Sequence, residues 1–97
     1  MLIGSVVKNE ALRNAQMIEQ YEAQLATLPK GSLISRKGYF YLKFRKDGKV
    51  CDEYVGKDPV KVSKLQEQLA LRKHCETMLS TLRQEQKKIH KILEGLV

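Results

Sequence analysis

Tyr39, Tyr41 and Tyr54 fall in one short segment with Arg36, Lys43 and Arg45. If that segment is extended, alternate residues share a side. Aromatic rings stack on unpaired bases and cations contact phosphates, so this set suits single-stranded nucleic acid. The same segment adds Lys37, Lys46, Lys49 and Lys57. Residues 30–64 hold ten basic and four acidic side chains, against eight and seven in the rest of the chain. The net charge of +7 is therefore local, and it marks a surface for nucleic acid or for a protein that handles nucleic acid. Tyrosine also favours strands for packing reasons and edge lysines deter aggregation, so composition alone leaves the partner open.

Catalysis and metal binding have no comparable footing. His74 and His90 lie sixteen residues apart, His74 and Cys75 are adjacent and point in different directions, and no CxxC or HxxxH spacing occurs. Cys51 and Cys75 could serve as nucleophiles only in a pocket that shifts their pKa, and so thin a fold offers none. Lys30-Gly31-Ser32 lacks the preceding glycine of a phosphate-binding loop and opens a strand. The expectation is a non-enzymatic protein with no metal and no cofactor. Two cysteines without a secretory leader read as reduced thiols in the cytoplasm. The apolar start, Met1 to Val7, is far short of the roughly 20 residues that span a bilayer, so no membrane partner is expected.

The elements that must position the aromatic and basic residues follow from periodicity. Ninety-seven residues with 42% apolar and 30% charged side chains make one small domain over residues 1–97. Val7, Ala11, Asn14, Ile18, Tyr21, Leu25 and Leu28 alternate steps of four and three, the seam of a coiled coil, and predict a helix over about residues 5–28. Pro29 stops it. Asn14 is the polar exception on that seam, either fixing register or lying at its edge.

Asp58-Pro59 caps and opens a second helix over about residues 59–94, with Gly95 at its end. Its stripe runs Val62, Leu65, Leu69, then Cys75, Leu79 and Leu82, with a six-residue step near Arg72 where the repeat slips. Between the helices, Lys37-Gly38 and Asp47-Gly48 divide residues 31–56 into three short strands. The fold class is α+β: an antiparallel two-helix coiled coil with an inserted three-stranded antiparallel β-meander.

Turns centred on those glycines pair Arg36 with Tyr39, Ile34 with Tyr41, Tyr41 with Tyr54, Phe40 with Val55, Lys43 with Asp52 and Arg45 with Val50. One face then carries Leu33, Phe40, Leu42, Phe44, Cys51 and Val55 for packing; the other carries the tyrosines and cations. Glu53 falls on the apolar face beside Leu42, so either it sits at the sheet edge or the register differs.

Helix 1 is about two thirds as long as helix 2. Antiparallel packing that sets Leu28 near Val62 and Val7 near Leu82 leaves helix 2 without a partner from about residue 84. Ile89, Ile92, Leu93 and Leu96 would face water and drive homodimerisation or docking on a partner helix. If residues 1–6 extend helix 1, part of this stripe is covered.

The pattern Leu28-Pro29-Lys30-Gly31-Ser32-Leu33, Tyr39-Phe40-Tyr41-Leu42, Gly48-Lys49-Val50 and Tyr54-Val55-Gly56-Lys57 before a long helix resembles a family of small uncharacterised bacterial and phage proteins that accompany mobile elements. The likeness covers mainly residues 28–57 and carries no residue roles. It implies a setting in which small binding proteins act on nucleic acid or inhibit the enzymes that handle it. One such class is the anti-CRISPR inhibitors, which block guide RNA or target DNA binding.

Overall fold

A computed structural model describes the backbone of residues 2–95 and the side chains of residues 4–95. The order is α1 (Leu2–Ala26), β1 (Ser32–Arg36), β2 (Tyr39–Lys46), β3 (Lys49–Gly56) and α2 (Pro59–Gly95). The chain groups into two compact units: α1 with α2 from His74 onward, and Leu28–Lys73.

In the second unit the strands form an antiparallel sheet in the order β1-β2-β3. Both connections are two-residue turns with positive φ at each central position, Lys37 (50°) and Gly38 (81°), then Asp47 (53°) and Gly48 (77°). This is the type I′ geometry, whose twist matches that of the flanking strands. The expected pairs hold: Arg36 lies opposite Tyr39, Ile34 opposite Tyr41, Tyr41 opposite Tyr54, Lys43 opposite Asp52 and Arg45 opposite Val50. Phe40 is the exception. It pairs with Gly56, not Val55, because the register shifts between Phe40 and Tyr41 and leaves Val55 as an extra residue on β3. Gly56, at φ 110°, supplies the backbone freedom for that step. Glu53 does lie opposite Leu42 and is exposed on an outer strand, so its carboxylate reaches water without a change of register.

Leu42 of the central strand and Val62 of α2 are the buried apolar residues of this unit. The start of α2 is capped as the sequence predicts: the Asp58 carboxylate accepts from the Val60 N–H at 3.0 Å. Gly31, at φ 117°, lets the chain enter β1 against the backbone of β2. A Cβ built there would stand 2.3 Å from the Lys43 carbonyl oxygen.

In the first unit, α1 and the later turns of α2 touch with residue numbers rising on one as they fall on the other. Asn14 Nδ2 donates to the Leu82 carbonyl at 2.9 Å, the Cys75 thiol donates to Gln24 Oε1 at 3.5 Å, and the rings of Tyr21 and His74 meet edge-on at 6.3 Å. Arg83 and Glu22 form an exposed ion pair at 2.9 Å. Cys75, Leu79, Leu82 and Ile89 are buried, as is Asn14 at 2% exposure. Asn14 is thus inside the seam, not at its edge, and its Oδ1 has no hydrogen-bond partner.

These contacts correct the expected helix register. Leu28 lies by Arg72, whose Nη1 donates to its carbonyl at 3.1 Å, and not by Val62. The first turns of α2 are grouped with the sheet, so the seam of α1 meets α2 further along. With Asn14 beside Leu82, the apolar positions seven residues on in opposite directions are Val7 and Ile89. Ile89 is buried and Leu93 half-buried; of the stripe expected to face water, Ile92 is exposed, at 50%, and Leu96 lies outside the described residues. A bare apolar overhang is therefore not present among the described residues. At its other end α1 stops at Ala26, two residues before the expected Leu28, where the Thr27 N–H and hydroxyl both bond the Gln24 carbonyl.

Gly31→Ala should cost about 3 kcal/mol, since its φ is closed to side chains and its space is filled by backbone, whereas Gly48→Ala, with open space around it, should cost about 1 kcal/mol. Urea titration of the two variants gives the comparison. Asn14→Leu removes a buried oxygen with no partner while the Leu82 carbonyl keeps its place in the helix, so it should raise stability by about 1 kcal/mol in the same assay.

Candidate nucleic-acid interface

The outward side of the sheet follows from strand alternation. Ile34 and Arg36 on β1, Tyr39, Tyr41, Lys43 and Arg45 on β2, and Val50, Asp52 and Tyr54 on β3 share it. Tyr54 is 60% exposed and Tyr39 39%, while Tyr41, on the central strand between them, is half-buried.

The three rings form one cluster. Tyr41 and Tyr54 are a directly opposed cross-strand pair with centroids 5.5 Å apart and planes at 68°, an edge-to-face contact. Tyr39 and Tyr54 are 6.1 Å apart and tilted by 41°. Cations flank the cluster. Lys57, just after β3, places Nζ 4.4 Å from the Tyr39 centroid. The Arg36 guanidinium lies over the Tyr41 ring at 5.6 Å and bonds Asp52 Oδ2 at 3.2 Å. Both distances fall within cation–π range.

Of the ten residues predicted for this surface, the sheet brings seven together: Arg36, Tyr39, Tyr41, Lys43, Arg45, Tyr54 and Lys57. Lys46 and Lys49 pair with each other next to the second turn, but alternation puts them on the opposite side from Arg45. Lys37 sits in the first turn. Like charges directly opposed, as in Lys46 and Lys49, disfavour the free hairpin and leave its tip strongly positive on both sides. Asp52 is the member that residue types alone did not mark. Its opposite charge two strands from Arg36 on the same face was the available signal.

Among the described residues no group of three or more His, Cys, Asp or Glu side chains is arranged to hold a metal ion. No described helix is long and apolar enough to cross a membrane. His74 and His90 are exposed on α2, while Cys75 is fully buried and Cys51 half-buried. Comparison with known proteins adds no assignment. No family model, curated protein or solved structure matches this chain.

The ring cluster should be measurable as coupling. In a double-mutant cycle of Tyr41→Ala and Tyr54→Ala read by denaturant unfolding, an interaction of about 1 kcal/mol is expected for an edge-to-face pair. Purely additive losses would show that the rings merely sit side by side.

Proposed function

We propose that the protein is a non-enzymatic binding module that takes up single-stranded nucleic acid on the exposed face of its sheet, and that α1 and the later turns of α2 pair as an antiparallel coiled coil. The observation that carries the binding reading is the contiguous cluster of Tyr39, Tyr41 and Tyr54 flanked by Arg36 and Lys57, with Lys43 and Arg45 further along the same face. Each base has a π-face, so an exposed ring such as Tyr54 serves as a stacking platform regardless of sequence. Lys43 and Arg45 continue toward the second turn, where a backbone leaving the rings would meet positive charge. Arginine and lysine to phosphate contacts supply affinity and register in such interfaces, while stacking selects unpaired bases over a duplex.

The coiled-coil reading is supported by the seam spacing of α1 and by the contacts of Asn14 with Leu82 and Gln24 with Cys75. A phage or mobile-element setting, implied by the sequence resemblance, fits a small binding protein.

Labelled oligothymidylate and oligouridylate, with a duplex of equal length, should be titrated at salt from ~50 to ~200 mM. Micromolar binding to the single strands is expected, falling about 50-fold over that range if four phosphates are contacted. Changing Lys43, Arg45 and Lys57 to Glu should abolish it. Changing Lys87, Lys88 and Lys91 of α2, with the same change in net charge, should leave most of it. If no single strand binds at ~50 mM salt, the reading is wrong, and the basic face is better tested as a protein-docking surface in a nuclease-inhibition assay.

A further inference from the structure

The ring contacts show that the sheet face is partly covered by its own side chains. Arg36 starts from β1 opposite Tyr39, lies over Tyr41, and ends on Asp52 of β3, so it crosses the central strand. A base cannot stack on the face of Tyr41 that Arg36 covers, and Asp52 engages one edge of the Arg36 guanidinium and offsets its charge, so a phosphate competes with it for that group. The ion pair is exposed, with side-chain exposures of 57% for Arg36 and 33% for Asp52. Such pairs are weak enough to exchange, and a phosphodiester is a competing acceptor for a guanidinium.

Resting on the single-strand reading above, we propose that Asp52 is an internal competitor for the ligand's phosphate. It holds Arg36 across Tyr41 in the free protein and gives it up on binding. Exchange leaves the Asp52 carboxylate on the binding face, where it repels the nearby backbone. The surface is thereby tuned toward weak, reversible binding. Asp52 also faces Lys43 directly across the β2–β3 ladder, so its charge bears on a second cation of the same track.

The test compares Asp52→Asn with Glu53→Gln in the full chain, using labelled oligothymidylate over the salt range above. Glu53 is the next residue on the same strand but on the other face, so its loss changes the net charge equally without touching Arg36. Asp52→Asn should tighten binding about two- to fivefold, the range set by an exposed ion pair. Glu53→Gln should not tighten binding, and the gain should vanish when Arg36→Gln is added to Asp52→Asn. Thermal unfolding of Asp52→Asn close to that of the parent excludes a change of fold as the source.

Equal or weaker binding by Asp52→Asn, or an equal gain from Glu53→Gln, overturns the competitor role while leaving the single-strand reading intact. Failure of every protein to bind at ~50 mM salt overturns both.

Discussion

One continuous helix has to satisfy two different neighbourhoods. α2 runs 37 residues, about 55 Å at ~1.5 Å per residue, and its early turns belong with the sheet while its later turns belong with α1. An apolar stripe drifts around a straight helix unless its repeat is adjusted. The six-residue step from Leu69 to Cys75 is filled by half-buried Arg72, which bonds the Leu28 carbonyl. The border between the two units, Lys73 to His74, falls inside that step. Val62 on one side of the step and Cys75, Leu79, Leu82 and Ile89 on the other are each buried. Where the sheet begins to claim α2 thus decides which residues remain for α1.

That division explains what could be read from the chain and what could not. The strands, turns and most of the cross-strand register were legible because glycines at Gly38 and Gly48 fix two-residue turns, and a turn of known length dictates every pair beyond it. The shift at Val55 was not, since nothing short of the buried, left-handed Gly56 announces an extra residue. Helix existence followed from periodicity, and the slip near Arg72 was visible as an irregularity. Its meaning was not, because spacing alone does not reveal that a stripe has changed neighbours. The misjudged overhang at Ile89 came from assuming that the whole of α2 was available to α1.

The candidate site was legible in the same uneven way. Alternation sorted Tyr39, Tyr41, Tyr54, Lys43 and Arg45 onto one side, and the structure groups them there. Residue types marked the cations as ligand contacts but were silent on their internal partners. Arg36 is engaged by a ring and a carboxylate, and Lys57 by a ring. Diagonal contacts spanning two strands depend on side-chain reach, which the pairing register does not encode.

The hydrogen bond between Asn14 and Leu82 joins residues 68 positions apart, and closing so long a loop in a disordered chain carries a heavy entropic cost. The meander lies wholly inside that loop and is built from neighbouring strands joined by two-residue turns. Hairpins as a class form in roughly microseconds, because their contacts are local. Once it is in place, the free chain between α1 and α2 shrinks to the short connections on either side of the sheet. A sheet built from neighbouring strands inside that loop therefore leaves less free chain for the pairing of α1 with the later turns of α2 to close.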